Sequence, residues 1–172
     1  MSSLAALSLS IGLLGGIATW AFLTLGGVLI WAAFVAWGCF FHTGGDVNAL
    51  RGTIINTIFG SVVATVAALI ILTIPGADTL GLPLWAGIVV GVTAGLIVIA
   101  ANIKVFSVIP AGFYGYACTF AFLLQTPDKL SVAALTSVSM NNALIVVVLS
   151  MVIGAVFGFL SGKIGAAWTK SS

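Results

Sequence analysis

Charge is what this sequence has least of. Lysine and arginine together number five, aspartate and glutamate three, and only 5% of the 172 residues are charged. A water-soluble domain of this length needs several times that share to cover its surface. The charges are Asp46, Arg51, Asp78, Lys104, Asp128, Lys129, Lys163 and Lys170, and none falls in the middle of an apolar run. That absence argues against a proton relay, an intramembrane ion path or a voltage sensor. A net charge of +2 is too small to imply a nucleic-acid partner. The two cysteines, Cys39 and Cys118, lie inside apolar runs without CxxC or metal-ligand spacing. They read as small packing residues, and no metal or cofactor is expected. The acids are isolated turn residues, and HExxH, P-loop and Ser/His/Asp patterns are missing, so no enzyme is expected. Asp46 and the single histidine, His42, have no evident nucleophile beside them. No basic stretch precedes the first apolar run, so that run is expected to stay as a helix rather than be cleaved as a signal.

What is present is apolar: 62% of residues are hydrophobic, with a mean hydropathy of +1.34. Runs of about 20 such residues span the roughly 30 Å of a bilayer's hydrocarbon as helices. Alternation suited to a barrel is missing. Six segments are predicted: Leu4–Leu23, Val28–Phe41, Leu50–Ile74, Leu84–Ile103, Val105–Leu124 and Asn142–Leu160. The second is short, and the fifth is interrupted by Pro110, Gly112 and Gly115. Leu130–Met140 reads as an interfacial or re-entrant piece, or as an extension of the sixth helix. Breaker clusters at Gly26-Gly27, Gly44-Gly45-Asp46, Pro75-Gly76 and Pro127-Asp128 separate the segments. The fold class expected is an all-α integral membrane domain over residues 1–172, with six transmembrane helices. Placing Arg51, Lys104, Lys163 and Lys170 on the cytoplasmic side, and Lys129 with Asp78 and Asp128 outside, puts both termini in the cytoplasm. Five spans result if the second segment does not cross.

The two halves of the chain, about 4–74 and 83–162, match each other. A shift of 79 residues sets Gly12 on Gly91, Gly16 on Gly95, Ile30 on Ile109, Phe34 on Phe113, Cys39 on Cys118 and Phe41 on Phe120. Ala33 meets Gly112, and Trp37 meets Tyr116. Three spans is an odd number, so a duplicated half enters the membrane from the other side. A 3+3 inverted repeat is therefore expected, with a solute path where the short or broken segments of the two halves meet.

Small residues recur every four positions: Ser8, Gly12, Gly16; Gly52, Asn56, Gly60, Ala64, Ala68; Gly87, Gly91, Gly95; and Ser150, Gly154, Gly158, Gly162. Such stripes let helices approach closely. They imply a tight bundle, and a homo-oligomer through any stripe that faces outward. Trp20, Trp85 and Trp168 read as interfacial anchors. Trp31, Phe34, Trp37, Phe113, Tyr114 and Tyr116 cluster in the matched segments, either as packing or as the narrowing of a pore. Asn56 and Asn142 each open a long helix, either to hydrogen-bond between helices or to face a constriction. Pore-lining candidates are Phe34, Trp37, Asn56, Phe113, Tyr116, Thr119 and Asn142, with His42 at a mouth.

Gly44-Gly45 followed by a polar-small helix carrying Asn56 and Gly60, the string from Ser107 through Pro110 and Phe113 to Gly115, and then Thr119-Phe120-Ala121 carry a resemblance. By these residues the chain resembles a small bacterial inner-membrane family, domain of unknown function number ten ninety-seven. The resemblance covers nearly the whole chain and implies a bacterial cytoplasmic membrane location. It brings no activity, substrate or site residue.

The expected function is a passive channel or facilitator for a small, mostly uncharged solute of the urea, ammonia, short-amide or water class. A sodium-coupled transporter using backbone carbonyls at the broken segments stays open, as does a structural or accessory membrane protein. The expected partners are the lipid bilayer, the small neutral solute and further copies of the chain.

Overall fold

In lipid, a backbone polar group has no water to bond, so each apolar run must satisfy its own N–H and C=O groups by forming a helix. The computed structural model describes residues 1–169, and among them it contains no strand. Eight α-helices follow in order: α1 (Ser3–Leu25), α2 (Ile30–His42), α3 (Val47–Thr73), α4 (Gly76–Leu80), α5 (Leu82–Ala100), α6 (Ile109–Gln125), α7 (Val132–Thr136) and α8 (Ala143–Trp168). Four of them, α1, α3, α5 and α8, are long and apolar enough to cross a membrane. The chain is an all-helical membrane protein. The α2 helix has 13 residues and α6 has 17. At 1.5 Å per residue they rise only about 20 and 25 Å, less than a roughly 30 Å hydrocarbon core.

Local chemistry moves several expected boundaries. The α6 helix starts at Ile109 rather than Val105, because Pro110 belongs in a first helical turn, where its missing N–H costs nothing. The residues before it form a linker with one 3-10 turn, Lys104–Phe106. The α3 helix starts early because the Asp46 carboxylate accepts the Ala49 N–H at 2.7 Å, a side-chain N-cap. Leu130–Met140 does not extend the sixth helix. It holds the single-turn α7, and α8 begins only where Asn142 Oδ1 accepts the Leu144 N–H at 2.9 Å. The stretch after Pro75, read as a plain turn, contains the short α4.

The short helices pack along long ones. Down α2 and α8, the Leu29 N–H donates to Ser150 Oγ at 2.9 Å, Gly154 sits under Ala33, and Trp37 Nε1 donates to Ser161 Oγ at 3.0 Å. Both residue numbers rise together, so the two helices are parallel. A Cβ on Gly154 would land on the Ala33 carbonyl. Helices α3 and α6 pair the same way, with Gly52 beside Val108, Gly60 under Gly112, and Ser61 Oγ donating to the Gly115 carbonyl at 3.2 Å. A Cβ on Gly60 would land on the Gly112 carbonyl. The α1 helix runs antiparallel to α8, where Leu7 faces Gly165 and Ser10 Oγ donates to the Ser161 carbonyl at 2.8 Å. The α5 helix runs antiparallel to α6, with Thr93 beside Tyr116 and Ile97 beside Gly112.

The start of α1 and the end of α8 therefore lie at one end of the bundle, here called the terminal end. The α2–α3 turn joins them there, since Gly44, Gly45 and Asp46 share a cleft with Ser3 and Lys163. Gly44 and Gly45 make that reversal at φ 121° and 69°, where a Cβ would be strained. Arg51 and Lys104 line a neighbouring cleft that also includes Asp46. Asp78 in α4, and Asp128 and Lys129 between α6 and α7, lie at the opposite, distal end. Lys170, used in the orientation argument, lies outside the described residues.

Candidate functional site

The two short helices meet each other as well as their long partners. At the distal end, Leu29 and Trp31 of the α2 entry and Ala121, Phe122, Gln125 and Thr126 of the α6 exit line a cleft of about 280 Å³. Toward the terminal end, His42 Nδ1 and the Tyr114 hydroxyl lie 3.1 Å apart, joining the end of α2 to α6. Between these points Ala32 and Ala36 of α2 and Cys118 and Phe122 of α6 belong to one buried cluster with Val146, Val147 and Met151 of α8. The seam between the short helices is thus open at one end, bridged at the other, and filled with apolar side chains between.

Polar groups lie mainly to either side of this seam, within the helix pairs. Asn56, 1% exposed, donates through Nδ2 to the Gly52 carbonyl at 2.9 Å and to the Val105 carbonyl at 3.2 Å. It ties the linker before α6 to α3. Ser150 holds the corresponding place in the other pair, accepting from Leu29 just before α2. Tyr116 and Thr93 share a hydrogen bond of 2.8 Å between α6 and α5. Thr119 Oγ1 donates within its own helix to the Gly115 carbonyl at 2.9 Å.

The residues singled out from sequence are spread over several surfaces. Trp37 is buried in the α2–α8 contact and stacks on Phe34, with ring centroids 5.6 Å apart. Phe34 and Phe113 are exposed on the outside of the bundle, at 43% and 38%. Asn56 and Tyr116 lie in the packing around α6. Asn142 caps α8 at the distal end and donates to the Leu135 and Ser137 carbonyls, both at 2.9 Å. Asn56 and Asn142 do not meet, because α3 and α8 run in opposite directions and start at opposite ends. His42 alone of the set borders the α2–α6 seam. Ser10, Thr53 and Ser161 are buried polar residues that sequence reading passed over. A serine four residues from a glycine carries no signal of its own; Ser161 matters because the Trp37 indole reaches it.

Asn56→Leu is expected to destabilise the protein by roughly 0.5–1.5 kcal/mol, since the part-buried Val105 carbonyl loses its side-chain donor. Asn102→Leu, at an exposed residue bonded only within its own turn, is the control. Thermal unfolding in detergent should separate the two; equal midpoints would rule out an anchoring role for Asn56.

A family described as "Protein of unknown function (DUF1097)" has a model that matches residues 8–166, from α1 into the last turns of α8. No curated protein and no solved structure matches the chain.

Proposed function

The chain belongs to the DUF1097 family, and for this member we propose a passive facilitator that moves a small, mostly uncharged solute along the α2–α6 seam. The observation that carries the reading is the placement of the two short helices. Each lies parallel to a long helix, and the two approach each other around an open cleft and a polar bridge. Short segments at matching positions of two halves are the sequence pointer to a transport path. The apolar filling describes a closed state, in which the His42–Tyr114 bridge holds the terminal end of the seam shut. The seam residues Trp31, Tyr114, Cys118, Phe122 and Gln125 replace most of the candidates chosen from sequence. The role is non-catalytic.

The 3+3 inverted repeat belongs to the same proposal. The sequence shift matches Ala33 with Gly112, and packing, though not that shift, makes Gly154 and Gly60 equivalent, because each of these glycines lies under the carbonyl of one of that pair. Alternating helix directions support six crossings, with α2 and α6 as short ones flanked by distal-end turns. Arg51, Lys104 and Lys163 at the terminal end, against Lys129 at the distal end, support cytoplasmic termini in a bacterial inner membrane. Gly12 and Gly16 of α1 and Gly87, Gly91 and Gly95 of α5 meet no protein atom. Those faces are where a homo-oligomer would form.

Stopped-flow light scattering on proteoliposomes tests the flux. Gradients of urea, acetamide, glycerol and water are compared with protein-free vesicles. Fast, non-saturating flux of one neutral solute, independent of sodium, is expected. Flux equal to the protein-free rate for all four, from folded protein, would sink the proposal. Saturation together with sodium dependence would transfer the seam to a coupled transporter.

A further inference from the structure

A second cleft, of about 400 Å³, opens at the terminal end between the start of α3 and the linker before α6. Arg51 stands on the α3 wall and Lys104 on the linker wall, with Asn48, Thr43 and Ser107 adding neutral hydrogen-bonding groups. Ile55, Val105 and Val108 supply an apolar side.

The linker wall is fixed in place. Asn56 holds the Val105 carbonyl. Phe106 stacks on Phe59 of α3, with centroids 4.4 Å apart and planes 27° from parallel. Gly52 admits Val108, whose Cγ2 would lie 2.8 Å from a Cβ added there. Lys104 and Ser107 are therefore carried opposite Arg51 on anchored backbone rather than on a loose loop.

Charge in the cleft is unbalanced. Asp46 is its only acid, and that carboxylate already caps α3 through the Ala49 N–H. Among the described residues no ion pair joins it to Arg51 or Lys104. Two cations on facing walls suit an anion with oxygens pointing in more than one direction. A phosphate group fits this better than a carboxylate. It can take two parallel bonds from a guanidinium, a point charge from an ammonium, and further bonds from Ser107 and Asn48. The Asp46 carboxylate offsets the positive end of α3, so the attraction for an anion comes from the Arg51 and Lys104 side chains.

We propose that this cleft binds a phosphate group, borne either by an anionic phospholipid or by a soluble phosphate. The site does not depend on the α2–α6 seam, so flux measurements neither support nor weaken it.

The test uses the full chain in nanodiscs. In one arm, phosphatidylglycerol is mixed into phosphatidylcholine, and the lipid retained by the protein is counted by native mass spectrometry. In the other, inorganic phosphate is added against chloride at equal ionic strength in phosphatidylcholine alone, and the thermal midpoint is followed. Arg51→Gln, Lys104→Gln and the double variant are compared with Lys129→Gln at the distal end. Arg51 and Lys104 are exposed and Lys129 is half-buried, and gel filtration checks that each variant folds. Preferential retention of phosphatidylglycerol should fall roughly fivefold for each cation removed, given the usual contribution of one Lys or Arg near an anionic lipid surface. Lys129→Gln should keep the wild-type preference. That result supports the site with lipid as the source of phosphate. A midpoint raised by inorganic phosphate, and no longer raised in the double variant, supports it with a soluble source. No preference by the wild type in either arm overturns the proposal, as does a preference that survives in the double variant.

Discussion

Gly60→Leu and Gly154→Leu are each expected to prevent the bundle from forming, while Gly12→Leu and Gly91→Leu are expected to leave it folded. All four residues belong to small-residue stripes, so sequence gives no reason to separate them. Their surroundings do. A Cβ on Gly60 would meet the Gly112 carbonyl, and one on Gly154 would meet the Ala33 carbonyl. Overpacking that side chains can absorb costs about 1–3 kcal/mol. Here the obstacle is backbone within a helix, which cannot rotate away, so the whole α3–α6 or α2–α8 contact has to open. Gly12 and Gly91 have no atom within 4 Å of an added Cβ. The milder Gly60→Ala and Gly154→Ala variants should each lower the thermal midpoint, and by similar amounts, if the two contacts are equivalent parts of a repeat. Midpoints in detergent and the folded fraction on gel filtration read this out. A large loss at one glycine with none at the other would remove the support that packing lends to the repeat. Folded Gly12→Leu or Gly91→Leu protein of reduced oligomer size would place the contact between copies on that face.

Cross-linking α2 to α6 is expected to abolish solute flux. His42→Cys and Tyr114→Cys, made together in a background where Cys39 and Cys118 are replaced by alanine, put one thiol on each helix at the two positions whose longer native side chains meet at 3.1 Å. A short thiol-reactive bridge should bring flux down to that of protein-free vesicles, and reductive release should restore it. Each single cysteine variant, treated identically, should keep its flux. Fully bridged protein that still conducts would show that the seam neither opens nor carries the solute. Tyr116→Ala is the contrasting substitution. It removes the bond to Thr93 within the α5–α6 contact, and should lower stability without blocking the seam.

The sequence by itself determined the class of protein and most of its helices. With eight charges in 172 residues, apolar runs have no stable arrangement except as helices in lipid, and Gly-Gly, Pro-Gly and Pro-Asp clusters mark where they stop. The match of Ala33 with Gly112 was readable as well, and the carbonyl of each lies over a glycine of a long helix. The small-residue stripes were visible, but their direction was not. Periodicity records that one face of a helix is small; it does not record what lies opposite. Gly60 and Gly154 turn inward onto carbonyls, whereas Gly12 and Gly91 turn outward, from stripes of the same spacing. The roles of the polar residues also came only from the tertiary structure. Asn56 anchors a linker from 49 residues away, and Asn142 caps the helix it precedes. A hydrogen bond depends on where two groups stand in space, and an amide reads alike in sequence whether it faces a solute, a carbonyl or the end of its own helix. The pairing of the two short helices, one from each half, was decided by the folding of the long helices around them.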